Sequence, residues 1–211
     1  IYILGKGPSM NRNSYNSIPE DSFKISINEN AIIYDCEASF FIDIEPLKRS
    51  IDQILKYPRI LILPRYLNER ISSKESRRMR IKTIDLLSEA YPEVLSANTV
   101  YLFNEGSDKG IKPFFKPKLV SVTALLEIMF YLGLTKVSGI GFDGGKSYSR
   151  ELTSQFTNTM VKTFSNQFFE FKSLEIAYKS NFNIMNKENI NVYVGTTDEQ
   201  ELAFKVLKNS I

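Results

Sequence analysis

The first four residues, Ile1-Tyr2-Ile3-Leu4, are apolar without alternation and run directly into Gly5-Lys6-Gly7-Pro8-Ser9. A strand with one wet face alternates apolar and polar residues. A continuous short apolar run marks a strand covered on both faces, the habit of parallel sheets in α/β proteins. The rest of the chain repeats the theme. "FKISIN" (Phe23 to Asn28), "ASFFID" (Ala38 to Asp43) and "RILILP" (Arg59 to Pro64) read as three further strands, the last closed by a proline. Between Asp43 and Arg59, Leu47, Ile51, Ile54 and Leu55 fall on one helical face. Strand, helix and strand in so short a span predict a parallel α/β architecture.

The middle, Leu67 to Pro117, is less regular. "IKTIDLLSEAY" reads as a helix and "NEGSDKGIKPFFKPK" as a Gly/Pro/Lys loop of the kind that serves as a lid or binding loop. Ser121 to Leu134 is apolar nearly all round, which predicts a buried helix stopped by Gly133. "TKVSGIGF" (Thr135 to Phe142) follows as a strand ending in an Asp-Gly-Gly turn, then "QFFEFKSLEIAYKS" as a helix and "NFNIMN" as a final strand. The tail, Asn191 to Ile211, carries its own strand, turn and amphipathic helix. The expected division is one domain over 1–187, with 188–211 a linker and the start of a second domain or the last unit of the first. A chain opening inside a strand points to a piece of a longer protein.

Charge and composition narrow the chemistry. The net charge of +3 is mild, and the basic residues gather in Arg70 to Thr83. That cluster reads as a solvated helix face or loop before it reads as a site for phosphate, lipopolysaccharide or nucleic acid. The 211 residues contain no histidine, which removes the commonest general base and excludes histidine-containing zinc sites and Ser-His-Asp triads. A single cysteine, Cys36, rules out an internal disulfide and fits a reducing cytoplasm. No apolar run approaches the roughly 20 residues of a membrane span.

The candidate site residues sit where strands end. Gly5 and Gly7 permit close backbone approach to a ligand, Pro8 fixes the loop exit, and Ser9 offers a hydroxyl and an N–H at an expected helix N-terminus. The same residues also suit an ordinary strand-to-helix turn. Asn28, Asn30 and Asp43 each follow a predicted strand, the edge where open α/β sheets bind ligands. Asn28 is expected to contact ligand and Asn30 to cap a helix. Ser121 and Thr123 open the buried helix, as caps or as ligand contacts. Asp143 and Gly144 form the late turn, from which Tyr148 can reach back.

"GKGPSM", "SINEN", "FFID" and "SVTALLEIMFYLGLTKVSGIGFDGGKSY", in that order and spacing, resemble the bacterial sialyltransferases of glycosyltransferase family 42 and related Rossmann-like proteins with the same Gly-x-Gly-Pro-Ser start. The resemblance spans roughly Ile1 to Met185. It implies a Rossmann-like α/β fold, an open, mostly parallel sheet flanked by helices with a lid-like irregular region. It also implies a CMP-linked nonulosonic acid donor, a surface glycan acceptor and no metal or other cofactor; the expected location is the cytoplasm, with the inner face of the membrane as an alternative. Carried over, Gly5, Lys6, Gly7, Pro8 and Ser9 form the first nucleotide-contacting turn, Asn28 faces the donor phosphate, and Ser121 lines the nucleoside pocket. Asp143 matches the late aspartate and Tyr148 a phosphate-contacting tyrosine. Two positions depart from the pattern. Lys6 replaces an asparagine, and the family's catalytic histidine falls near Ser165, whose lone hydroxyl cannot act as a base near neutral pH. Asp143 is the carboxylate expected to replace it, with Glu170 as the alternative.

The tail is similar to the first strand and helix of family 8-type glycosyltransferases. Two other functions fit the same residues. One is a pterin-type pyrophosphokinase with Mg²⁺ held by Asp43 and Asp143. The other is a non-catalytic nucleotide-sugar-binding module of a larger transferase.

Overall fold

The computed structural model describes residues 1–70, 78–105, 114–115, 121–144, 147–155 and 167–185. In chain order the elements are β1 (Tyr2–Leu4), α1 (Arg12–Asn16), β2 (Lys24–Ile27), α2 (Asn30–Ile33), β3 (Ala38–Phe40), α3 (Ile44–Lys56) and β4 (Ile60–Pro64). There follow β5 (Tyr66–Arg70), β6 (Arg78–Lys82), α4 (Thr83–Ala90), α5 (Pro92–Ala97), β7 (Thr99–Glu105) and β8 (Phe114–Phe115). The chain continues through α6 (Ser121–Tyr131), β9 (Lys136–Ile140), α7 (Arg150–Gln155), α8 (Gln167–Tyr178) and β10 (Asn181–Ile184).

Eight strands form one sheet in the order β10-β9-β1-β2-β3-β4-β7-β8. Every neighbouring pair in it is parallel. The expected Rossmann-like α/β class is therefore the observed one. The chain steps outward from β1 through β8 and then returns to the other side of β1 at β9. The order thus reverses between β1 and β9, and in open α/β sheets a crevice opens at the carboxyl ends of such a strand pair.

The unbroken apolar run at the start has its expected cause. Ile3 lies in a core built by Ile25, Ile27, Phe40 and Phe103 against α6 and α8, while Leu4 lies in another with Met10, Ile18, Tyr34 and Ile140. Successive residues of β1 thus serve opposite faces, and both faces are covered. On α3, Leu47, Ile51 and Ile54 are buried against Phe41, Leu61 and Leu63. Helix α6 is buried from Val122 to Phe130 apart from Glu127, and it stops at Gly133, whose φ is +82°.

The basic stretch is corrected. Arg78 to Lys82 are neither helix nor loop but β6, paired antiparallel with β5. Leu67 faces Ile81 across the pair and both pack into the α3 core, while Asn68 faces Arg80. The period-2 signal of Met79 and Ile81 was carried between charges, which obscured it. Of the expected Gly/Pro/Lys loop, Asn104 and Glu105 belong to β7 and Phe114 and Phe115 to β8. The rest of that loop, Ser165 and the tail from residue 186, including the 187/188 boundary, lie outside the described residues. Among the described residues no helix is long and apolar enough to cross a membrane.

Tyrosine burial makes the fold sensitive to alkali, most of all at Tyr34. Tyr34 is 1% exposed, its hydroxyl is buried without a hydrogen-bond partner, and burial pushes its phenol up to about 12. Glu151 pushes the same way and Arg12 opposes it. An unfolded tyrosine ionises near 10, so this contribution is complete below about pH 10 and lost as pH rises through about 12. The expected loss is about 2–3 kcal/mol. Melting curves between pH 9 and 12 should fall less steeply for Tyr34→Phe, which removes only the unpartnered hydroxyl.

Candidate functional site

Two turns meet at the point where strand order reverses. The Gly5 N–H donates to the Ile140 carbonyl at 2.7 Å and the Gly7 N–H to the Gly141 carbonyl at 2.8 Å. The turn after β1 is thereby laced to the turn after β9. A Cβ on Gly5 would stand 2.5 Å from the Gly141 oxygen, and one on Gly7 would fall onto the Asp143 carboxylate. Both glycines are therefore required by the close approach of the two turns themselves.

Ser9 completes the lacing. Its N–H and hydroxyl both donate to Asp143 Oδ2, at 3.1 and 3.0 Å, and its Oγ accepts from the Gly141 N–H at 3.0 Å. The expectation that Ser9 stands at a helix N-terminus is corrected. Helix α1 begins at Arg12, and Asn11 is its cap, accepting from the Ser14 N–H at 3.0 Å. The anion held by the Ser9 donors is the chain's own Asp143. Pro8 is exposed beside them.

The residues after β2 do three different jobs. Asn28 takes a left-handed conformation, φ +54°, tolerable for asparagine, and its buried Oδ1 has no hydrogen-bond partner. Asn30, expected as a cap, is instead a clamp. Its Nδ2 donates to the carbonyls of Leu4 at 2.8 Å and Gly5 at 2.6 Å, fixing the end of β1. Between them Glu29, which the sequence reading did not single out, is 3% exposed and ion-paired on both sides. Its Oε2 accepts from Lys6 Nζ at 3.0 Å and its Oε1 from Arg49 of α3 at 2.6 Å. The signal was available only as an acid two residues past a fully buried strand, with Lys6 equally placed after β1.

Tyr148 does reach back. The Lys6 ammonium lies 4.5 Å from the centre of the Tyr148 ring, and the Ser149 N–H donates to the Lys6 carbonyl at 2.7 Å. Gly141, φ +82°, turns the chain at the exit from β9, and Gly144, φ +67°, follows it in the same turn.

The other residues share the edge but stand apart. Asp43 occupies the cap position of α3 without a side-chain cap bond and bridges through its backbone to Asn68. Its strand lies two places from β1 and three from β9. At about 4.8 Å per strand, the exits leading to Asp43 and Asp143 are about 14 Å apart, too far to share one Mg²⁺. Among the described residues no three His, Cys, Asp or Glu side chains gather as a metal site.

Four residues separate the end of helix α6 from the start of β9, so it runs antiparallel to the strands and its first turn lies at their carboxyl edge. Ser121 is half-buried there, and Thr123 is fully buried with its Oγ1 unpartnered. Helix α8 likewise precedes β10, which puts its first turn at the same edge. There Phe169, Glu170, Ser173 and Leu174 line a pocket of about 270 Å³, and Glu170 Oε2 is buried without a hydrogen-bond partner.

If Asn28 is present only for its backbone, Asn28→Gly should melt within about 1 °C of the parent, since glycine adopts positive φ freely. If the orphan Oδ1 faces ligand, the same variant should lose about tenfold in ligand affinity. Titration calorimetry beside a melting curve separates the two.

Comparison with protein-family models, with curated proteins and with solved structures gives no match to this chain.

Proposed function

We propose that the crevice between β1 and β9 binds a nucleotide-activated sugar and that the chain is the donor-binding part of a sialyltransferase-like glycosyltransferase. Its donor would be a CMP-linked nonulosonic acid and its acceptor a surface glycan. The observation that carries this reading is the convergence of the β1 and β9 turns where the strand order reverses. Lys6 and Tyr148 meet there, with Asn28, whose Oδ1 is unpartnered, following the adjacent strand.

In such a transfer, negative charge develops on the leaving phosphate while the sugar becomes oxocarbenium-like. Preorganised donors at that phosphate lower the barrier because they need no reorganisation as the charge appears. Lys6 is a cation within the turn after β1, and the Tyr148 ring lies beside it. With no histidine in these residues, a carboxylate here or a group outside residues 1–211 must then accept the acceptor hydroxyl's proton. Asp143 gives Oδ2 to two Ser9 donors, whereas Glu170 lines a pocket on α8 and its buried Oε2 has no hydrogen-bond partner. That difference favours Glu170 as base and Asp143 as the residue that locks the turns.

A non-catalytic nucleotide-sugar-binding module is the second reading, supported by the structural employment of Asp143. The pyrophosphokinase reading is the weaker one, because the exits leading to Asp43 and Asp143 stand apart.

A thermal-shift screen with CMP, UDP, GDP and ATP, with and without Mg²⁺, tests the proposal. A ligand at 100 times its Kd should stabilise the fold by about 2.7 kcal/mol, several degrees for a chain of this size. A metal-independent shift with CMP is the expected result. A shift only with ATP and Mg²⁺ would favour pyrophosphoryl transfer, and no shift with any of the four overturns nucleotide binding. If binding holds, loss of transfer in Glu170→Gln, with CMP affinity kept, supports the base assignment. Parental transfer rates in that variant contradict it.

A further inference from the structure

Glu29 is a carboxylate removed from water and held between two cations, at the edge where the proposed ligand would sit. Its relative exposure is 3%, against 17% for the Lys6 side chain and 44% for Arg49. The three charges come from three different places in the fold: Lys6 from the turn after β1, Glu29 from the end of β2, and Arg49 from α3. The left-handed Asn28 reverses the chain so that Glu29 begins the next helical turn beside Lys6.

Burying a carboxylate is costly unless its partners are well placed, and breaking one of its bonds is costlier still. Such a group restrains the side chains that it touches. Lysine is a flexible four-carbon stem with a point charge at its end, and a free one loses much rotamer entropy when it meets an anion. Here the ammonium is held from two sides, by Glu29 Oε2 at 3.0 Å and by the Tyr148 ring face at 4.5 Å. Of its three N–H donors Glu29 takes one.

The neighbouring turn strengthens the case for Lys6. The Ser9 N–H and hydroxyl, which would otherwise cradle an anion, are given to Asp143. An incoming phosphate therefore meets a turn whose donors are engaged and whose carboxylate repels it. A cation fixed at the mouth of that turn offsets the repulsion.

Resting on the reading that this crevice takes a nucleotide phosphate, we propose that Glu29 is a positioning residue that holds Lys6 as the phosphate-contacting cation. The proposal has a sign that simple charge counting does not share. Glu29→Gln makes the site one unit more positive, so if Glu29 only balances charge, the variant binds an anion more tightly. If Glu29 positions Lys6, the variant binds more weakly despite the added charge.

The experiment is titration calorimetry of CMP, with UDP and GDP alongside, into the parent, Glu29→Gln, Lys6→Gln and Lys6→Arg at two salt concentrations. Melting curves of each without ligand monitor the fold. The expected result is about a tenfold loss of CMP affinity in Glu29→Gln and in Lys6→Gln, with Lys6→Arg failing to restore the parent value because its planar head cannot take the same seat. Equal or tighter binding by Glu29→Gln overturns the assignment while leaving the nucleotide reading intact. So does parental affinity in Lys6→Arg, which also decides the matter should Glu29→Gln fail to fold. A parent that binds none of the three nucleotides overturns both.

Discussion

Replacing Gly141 by alanine is expected to destabilise the fold by about 3–4 kcal/mol, roughly 10 °C in melting temperature for a chain of this length. The residue has φ +82°, and a Cβ there would run into the Gly5 carbonyl and approach Met10 Cβ to 2.8 Å. The backbone cannot retreat, because Leu4 and Ile140 are register partners in the central parallel pair. Left-handed strain supplies about 1–2 kcal/mol and the collision the remainder. Gly133 provides the control. It has the same φ, but a Cβ there meets nothing within 4 Å. Gly133→Ala should therefore cost only about 1 kcal/mol, and the difference between the two variants isolates the packing of one turn on the other. Equal losses would mean that strain alone, and not the close approach, fixes Gly141.

Asp143→Ala is expected to cost about 2–3 kcal/mol, because it leaves the Ser9 N–H and hydroxyl without their acceptor. Asp143→Asn keeps an acceptor oxygen and should cost about 1 kcal/mol. A double-mutant cycle with Ser9→Ala should show coupling of about 1 kcal/mol, since the two side chains act as one unit. Chemical denaturation of the four proteins measures it. If Asp143→Ala melts with the parent yet loses ligand, Asp143 serves the ligand and not the turns.

The sheet was legible because burial on both faces writes a simple signal. "IYIL", "KISI" and "ILILP" could hardly be anything but covered strands, and the stripe of Leu47, Ile51 and Ile54 could hardly face water. The hairpin of β5 and β6 was missed because its alternation is short and interleaved with arginines, and only its Leu67–Ile81 pair finds a core. The short helices α1 and α2 carry no repeating stripe at all. They exist because tertiary contacts hold them, as when Tyr15 of α1 and Ile33 of α2 pack against the cluster of Leu4, Tyr34 and Ile140.

At the candidate site, position was legible and partnership was not. Each residue after a strand was found at the carboxyl edge because strand ends are visible in sequence. What each side chain does there depends on strand order, which brings Ser9 to Asp143 across 134 positions and Glu29 to Lys6 across 23. Glu29 escaped notice because an acid after a strand is common on surfaces, and only the fold reveals that this one is buried. Asn30 reads as a cap for the same reason, although its amide clamps a neighbouring strand.

The central claim is that a nucleotide binds where the turns after β1 and β9 meet. The most direct test is an amide chemical-shift titration of the ¹⁵N-labelled chain with CMP. The account predicts saturable shifts concentrated at Gly5, Lys6, Gly7, Asn28 and Gly141. Shifts confined to the Phe169–Leu174 pocket or to the β5–β6 hairpin, or no shifts at all, would contradict it.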